Sequence, residues 1–214
     1  MARTKAPPRG RPRGPATSYP GKIRIIGGRW RSRRLEVPAA EGLRPTPDRV
    51  RETLFNWLAP YIEGARCLDL FAGTGALCLE ALSRGAAEVV MVERSAEAVR
   101  RLRENVARLG AEGAEVVALD ALEYLAGRPR RFDVVFIDPP FVVAETIIRA
   151  CAERLLRGWI GPGSFVYVEA PRRLCELDLP ERFAPYRSAA AGQVRYQLLR
   201  LAPAPSRDAE SAAS

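Results

Sequence analysis

Short, nearly continuous apolar runs recur along the middle of the chain, and several end in an acid. They are Cys67-Leu68-Asp69-Leu70-Phe71, Val89-Val90-Met91-Val92-Glu93, Glu115-Val116-Val117-Ala118-Leu119, Val134-Val135-Phe136-Ile137 behind Asp133, and Ser164-Phe165-Val166-Tyr167-Val168-Glu169. Runs of this length without strict alternation read as strands buried on both faces. Helical stretches separate them. One opens at the turn Ala72-Gly73-Thr74-Gly75 and reaches Arg84; the next is capped by Ser95 and runs to Leu109, with Gly110 at its end. A short helix follows Asp120 as far as Leu125, and another covers 144–156. This repetition predicts an α/β fold: a parallel sheet with right-handed crossovers and helices on both faces. Two later runs, Phe183-Ala184-Pro185-Tyr186-Arg187 and Val194-Arg195-Tyr196-Gln197-Leu198-Leu199, joined near Gly192, predict an antiparallel edge.

The pattern differs ahead of this body. Lys22-Ile23-Arg24-Ile25-Ile26 and the run Arg29 to Val37 flank Gly27-Gly28, a hairpin signal. A strand period of two sets Arg29, Arg31 and Arg33 on one face, opposite Trp30. Such a row of guanidinium groups suits phosphate contacts, or is simply a solvated strand face. Next, Leu43-Arg44-Pro45-Thr46-Pro47-Asp48 reads as a turn into a helix, with Thr46 as N-cap and Pro47 as its first residue. Val50, Leu54, Trp57 and Leu58 form the apolar face of that helix, while Arg44, Arg49 and Arg51 extend the basic surface, and Pro60 ends the helical region.

Charge sharpens this division. Residues 1–35 hold 11 Lys/Arg and no Asp/Glu, leaving 23 basic against 25 acidic residues in the remainder. A near-neutral body behind a basic arm points to a polyanion partner, most simply a nucleic acid. Residues 1–20 carry five prolines and five basic side chains and are expected to be disordered, as are residues 202–214. The boundaries that follow are a basic arm at 1–20, a hairpin-and-helix extension at 21–60, a main domain at 61–201 and a tail at 202–214. The chain has no histidine, and its four cysteines (Cys67, Cys78, Cys151 and Cys175) show no paired spacing. A zinc site, a disulfide framework and Ser-His-Asp chemistry are therefore not expected; no metal is, and a reducing cytoplasm fits. No apolar run approaches the ~20 residues of a membrane span, and no signal-peptide core follows the basic start.

The candidate chemistry lies at the ends of the strands. Asp138-Pro139-Pro140-Phe141 follows the apolar run 134–137 directly, and two prolines cannot extend a strand ladder. The outcome is a rigid ledge of acceptors: the Asp138 carboxylate, the Pro139 carbonyl and the aromatic face of Phe141. An exocyclic amine on a flat base, with two N–H donors and a ring, matches it group for group. The bland alternative is a strand end with a packed phenylalanine. In an open parallel sheet, ligands bind at the carboxyl ends of the strands. Those ends carry Asp69 with Gly73 and Gly75, then Glu93, Asp120 and Asp138. Glu93 lies 20 residues after Gly73, the spacing at which a second-strand acid reaches ribose hydroxyls. A nicotinamide dinucleotide suits this rim poorly, because its pyrophosphate would face several acids and Cys78 stands where a third glycine is expected. The sulfonium and amino groups of S-adenosylmethionine suit it better. Asp120 is also readable as nothing more than a helix N-cap, Asp69 as a turn cap and Glu93 as a plain strand-end acid.

Asp69-Leu70-Phe71-Ala72-Gly73-Thr74-Gly75, Glu93 and the Asp138 to Phe141 ledge resemble class I S-adenosylmethionine-dependent methyltransferases acting on exocyclic amines. Arg24-Ile25-Ile26-Gly27-Gly28-Arg29-Trp30, the stretch Leu43 to Leu58 and Gly192-Gln193-Val194 narrow the resemblance to the RsmD family. It covers residues 22–200 and implies a Rossmann-like, seven-stranded sheet with one antiparallel strand and a small N-terminal hairpin extension. It further implies methylation of a guanine N2 in bacterial 16S ribosomal RNA, on an assembling small subunit. By the resemblance, Asp138, Pro139, Pro140 and Phe141 are catalytic. Asp69, Phe71, Ala72, Gly73, Thr74, Gly75, Glu93, Asp120, Ala121 and Asp138 hold the cofactor. Arg24, Arg29, Trp30, Arg31, Arg33, Arg34, Arg44 and Arg49 contact RNA. A monomer without membrane association is expected. The Arg/Pro-rich arm is a departure that the family does not require. The ledge alone does not separate guanine from adenine, so an adenine-N6 methyltransferase on DNA or RNA stays open. So does a non-catalytic ribosome-assembly protein that keeps the cofactor fold.

Overall fold

A computed structural model describes residues 22–36, 46–172 and 177–204. A two-stranded antiparallel ribbon, β1 (Lys22–Arg24) and β2 (Arg34–Glu36), precedes helix α1 (Asp48–Leu58). The chain then alternates β3 (Arg66–Asp69), α2 (Ala76–Ser83), β4 (Glu88–Val92), α3 (Ala96–Leu109), β5 (Ala114–Val117), α4 (Ala121–Tyr124), β6 (Phe132–Ile137), α5 (Ala144–Leu155) and β7 (Ile160–Pro171). A closing hairpin, β8 (Phe183–Ala191) and β9 (Val194–Leu201), completes a seven-stranded sheet in the order β5-β4-β3-β6-β7-β9-β8. Strands β3 to β7 pair in parallel, and β9 runs antiparallel to both β7 and β8. The mostly parallel sheet with one reversed strand is the expected Rossmann-like architecture. The order turns back between β3 and β6, which opens a crevice at their carboxyl ends.

Strand parity divides the core. Cys67, Met91, Val134, Phe136, Phe165 and Tyr167 face the ribbon, α1, α2 and Leu102 of α3. Leu68, Val90, Val135, Ile137, Val166 and Val168 face α4 and α5. Residues 76–83 of α2 are all buried, because the ribbon and α1 cover the side that would otherwise meet water. Local signals set the ends of α3: the Ser95 hydroxyl accepts from the Ala98 N–H at 3.4 Å, and Gly110 closes the helix at φ 56°. Cys67, Cys78 and Cys151 are buried free thiols. Cys175 lies outside the described residues, as do the basic arm at 1–20, Arg44 and most of the tail read at 202–214.

Three local expectations are corrected. The ribbon does not turn at Gly27-Gly28; a longer loop carries a 3-10 turn at Gly28–Trp30, so Arg29, Arg31 and Arg33 do not share a strand face. The cause is tertiary. The Ile26 and Gly27 N–H groups donate to Glu80 of α2 at 2.7 and 2.8 Å, and Ser83 Oγ donates to the Gly27 carbonyl and accepts from the Trp30 N–H. At Gly28, φ +72°, a Cβ would sit 1.7 Å from the Ser83 carbonyl oxygen, so the loop can approach α2 only as glycine. Trp30 is consequently buried in the core, and its ring carries Arg29 at 4.0 Å. Second, Pro47 rather than Thr46 caps α1, and the Thr46 hydroxyl reaches across to Asp138. Third, Arg51 is not on the basic surface: it is fully buried, 2.6 Å from Asp48 and 3.7 Å from Glu80.

Glu80 is thus a buried clamp between the sheet's first helix, the ribbon and α1. Its carboxylate also takes Arg84 Nε at 2.7 Å. Replacing one partner of such a pair leaves the other charge buried and unpaired, at a cost of about 3–5 kcal/mol. Glu80→Ala should therefore lower the thermal unfolding midpoint strongly and expose residues 22–36 to protease. A Glu80→Ala protein melting and resisting cleavage like the wild type would show that the clamp is dispensable.

Candidate active site

The carboxyl ends of β3, β4 and β6 bring together most of the residues singled out in the sequence. Asp69 closes β3, is buried, and its Oδ1 accepts the Phe71 N–H at 3.1 Å. The turn that follows is tied down from inside: the Ala72 N–H donates to the Val92 carbonyl at 3.0 Å and the Gly75 N–H to the Ala72 carbonyl at 2.7 Å. Gly73 and Gly75 have φ +49° and +78°. A Cβ at Gly75 would fall 2.6 Å from the Leu102 side chain, so this glycine serves the packing of α3 against the turn. Glu93, after β4, accepts the Gly73 N–H at 2.9 Å and the Ser95 N–H at 2.7 Å with its two oxygens. Each oxygen retains a lone pair, enough to accept from ribose hydroxyls. Ala72 and Thr74 are buried and Phe71 half-buried beside them. Asp120 lies one strand farther out, after β5, and caps α4 by accepting the Leu122 N–H at 2.8 Å; Ala121 behind it is buried.

The ledge follows β6, which stops at Ile137. Asp138 is partly exposed, Pro139 buried, Pro140 exposed and Phe141 half-buried. The Val143 N–H donates to the Pro140 carbonyl at 3.1 Å and closes the turn. Among the described residues no hydrogen bond reaches the Pro139 carbonyl, which leaves it open as an acceptor. Asp138 Oδ2 accepts the Thr46 hydroxyl at 3.2 Å.

Sequence reasoning missed two residues here. By its sequence pattern Thr46 is a helix cap. Glu169 is the end of a strand, although an acid closing a buried apolar run at the carboxyl end of a fifth parallel strand is a signal of the same kind as Asp69. Glu169 is buried, and its Oε1 accepts the Tyr167 hydroxyl at 2.8 Å. Asp69, Asp138 and Glu169 follow the parity of Cys67, Phe136 and Tyr167, so all three acids project to the α1 side of the sheet. Burial dominates their charge states. It pushes the Asp69 carboxyl up to about 7, against the pull of the Phe71 N–H, with Glu93 and Glu169 adding to the rise. It raises Asp138 well above the carboxylate range, helped by Glu169 and Asp69 and opposed by Thr46. Glu169 is raised by burial too, with Tyr167 and Thr46 opposing. A patch of acids that resists ionisation alone suits a cation, and the glycine turn beside it leaves room for a nucleoside. These residues fit S-adenosylmethionine.

The basic residues lie toward the same side. Arg24, Arg29, Arg31, Arg33, Arg34 and Arg49 are exposed on the ribbon and on the first turn of α1, whose preceding residue Thr46 touches Asp138. Arg24 is 3.6 Å from Asp48. Trp30, expected at the RNA surface, is instead part of the core. An indentation lined by Tyr61, Glu63, Arg131 and Asp133 lies at the opposite, amino-terminal ends of the strands and brings none of this constellation together.

Comparison with known proteins bears on the whole of this arrangement. The sequence profile of the family described as conserved hypothetical protein 95 matches residues 23–200. The ribosomal RNA small subunit methyltransferase D of Escherichia coli is 47% identical over 189 residues, covering 86% of this chain and 92% of that protein. Its counterpart from Haemophilus influenzae is 43% identical over 184 residues, with 83% and 93% covered. A solved structure of a putative methyltransferase from Escherichia coli superposes with a TM-score of 0.80 at 42% identity, covering 86% of this chain and 100% of the other.

The raised Asp69 gives cofactor binding a pH signature. Near pH 6 the free carboxyl is mostly protonated, and a bound cation favours its ionised form. Calorimetric titration with S-adenosylmethionine in buffers of different ionisation enthalpy should show proton release at about pH 6 that fades by about pH 8. Asp69→Asn should reduce that release; an unchanged release would remove Asp69 from the cofactor's electrostatics.

Proposed function

The chain belongs to the conserved hypothetical protein 95 family, and from that premise we propose that it methylates the exocyclic N2 amine of a guanine in 16S ribosomal RNA. The observation that carries this reading is the acceptor ledge Asp138-Pro139-Pro140-Phe141 beside the glycine turn and Glu93, in a fold shared with methyltransferases that act on small-subunit RNA. The substrate is the small subunit during assembly, the enzyme acts as a monomer, and the reaction belongs in the cytoplasm.

When bound, S-adenosylmethionine supplies an activated methyl group and a neutral thioether leaving group. The protein's task is to present the amine. A guanine amine is a poor nucleophile because its lone pair is delocalised into the ring. With the cofactor's positive charge drawing Asp138 into its ionised form, the Asp138 carboxylate and the Pro139 carbonyl accept its two hydrogens, which turns the lone pair toward the methyl carbon and stabilises the positive charge growing on nitrogen. Phe141 stacks on the base, worth about 1–3 kcal/mol. A base reaches this ledge only after leaving its own stack. The methylated ammonium is strongly acidic and gives its proton to Asp138 and then to solvent. Glu93 accepts from the ribose, and Asp69 faces the cationic end of the cofactor. The exposed arginines of the ribbon and α1 hold phosphates, with Arg29 kept in place over the Trp30 ring.

Methyl transfer from labelled cofactor to small subunits of cells lacking this protein tests the reading. Label should appear in N2-methylguanosine. Label in N6-methyladenosine would overturn the target base, and no label despite cofactor binding would favour a non-catalytic assembly role. Asp138→Ala should lower turnover by at least about 100-fold while cofactor affinity survives; equal loss of both would make Asp138 structural. Arg31→Ala with Arg33→Ala and Arg49→Ala should weaken RNA binding and reduce its salt slope by about one unit per lost phosphate contact. An unchanged slope would remove these arginines from the interface.

A further inference from the structure

The large apolar side chains left exposed among the described residues are Leu119, Val142 and Val143, and all three lie at the carboxyl-end rim of the sheet. Val142 and Val143 follow the ledge directly and are 93% and 47% exposed. The Val143 N–H closes a turn on the Pro140 carbonyl at 3.1 Å, which makes Phe141 and Val142 its two central residues. Phe141 is half-buried, so Val142 alone stands out from the tip. The tip is stiff on both sides. Pro139 and Pro140 fix the backbone ahead of it, and the Val143 carbonyl accepts the Ile147 N–H at 3.1 Å as α5 begins.

Neither valine is explained by the local structure. Turn centres favour Gly, Asn, Asp and Ser, and a β-branched side chain gains nothing there unless it is buried. Val143 occupies the N-cap of α5 without a side-chain bond, where Ser, Thr, Asp or Asn would accept a free N–H. Two consecutive breaks of local preference, beside the acceptor ledge, mark a surface shaped for a ligand rather than for folding. The ligand follows from position. A protein interface needs a far wider patch than one turn tip. A base held on the ledge is joined to its neighbours by one sugar-phosphate link on each side, so the turn tip meets the nucleotides that flank it. The flipped base leaves a gap between those neighbours. An apolar side chain on a rigid turn can enter that gap, keep their faces out of water and hinder the base from returning. We propose that Val142 is that wedge: it inserts into the RNA stack next to the guanine being methylated, with Val143 packed behind it. The proposal rests on the amine-methylation reading and extends it from the reacting base to its neighbours.

The test replaces Val142 with the photoreactive p-azidophenylalanine in the full chain, binds it to small subunits from cells lacking this protein, and maps the crosslink on the RNA by primer extension. The crosslink should fall on the nucleotides that directly flank the methylated guanine. A crosslink to a ribosomal protein only, to RNA elsewhere, or to nothing overturns the wedge. Turnover supplies the second arm. Val142→Ala should lower kcat/KM for small subunits about three- to tenfold. Val142→Asp should lower it at least about 30-fold, because a carboxylate would enter a base stack among phosphates. Val142→Leu should stay within about threefold of wild type. All three should melt like the wild type and keep its cofactor affinity, since the exposed side chain is not part of the core. A Val142→Asp enzyme with wild-type kcat/KM overturns the proposal, and so does one whose melting temperature or cofactor affinity falls with its turnover. Crosslinking needs no methyl transfer. A wild-type protein that labels no RNA would defeat the functional reading, while the crosslink still shows whether position 142 meets the nucleotides flanking a guanine.

Discussion

A carboxylate that never meets water sets the geometry above the sheet. Glu80 takes two backbone N–H groups of the ribbon, the Arg84 guanidinium and, at longer range, Arg51. A buried ion pair adds little net stability, because removing both charges from water offsets most of their attraction. Its effect is on placement. A ribbon shifted by one residue would leave Glu80 facing a carbonyl instead of an N–H, and Gly28 would no longer be the residue pressed against the Ser83 carbonyl. Only one register satisfies both.

That register carries through to the site. Arg51 ties Glu80 to Asp48 and also donates to the Arg24 carbonyl, so the ribbon and the first turn of α1 move as one body on α2. The start of α1 in turn sets Thr46 on Asp138. The exposed arginines therefore stand on a rigid platform whose last link is a hydrogen bond to the ledge, rather than on a tether. On the proposed reading, two sites on one body need no moving part to align a phosphate backbone with a base in the crevice.

The sheet and the rim were legible in the sequence because both follow from short-range rules. Buried parallel strands are apolar runs, and their carboxyl ends are where the topology leaves a crevice, so Asp69, Glu93 and Asp138 could be placed without knowing any contact. The ribbon's turn was not legible: Gly27-Gly28 satisfies a local hairpin rule, but Glu80, more than fifty residues away, determines its backbone. Arg51 defeated the reading for a related reason. By type it belongs on a surface, and only its carboxylate partners, one of them 29 positions later, let it be buried. Trp30 followed the strand period in the sequence and the core in the structure. Thr46 satisfies an N-cap pattern locally, yet Asp138, 92 positions away, competes for the same hydroxyl and wins.

The acids at the rim also explain why the glycine turn, which looks dinucleotide-like, is built for something else. A pyrophosphate needs free backbone N–H groups and a positive helix end. Here the Ala72 and Gly75 amides are already used within the fold, and the Gly73 amide is held by Glu93. A phosphate arriving at that turn would have to displace a carboxylate and then sit beside another, Asp69, buried and reluctant to ionise. A cation faces the reverse situation. It draws Asp69 into its charged form and leaves every amide in the turn undisturbed. The turn's hydrogen bonds and the acids' burial, which look like separate features, make one selection for positive charge without phosphate.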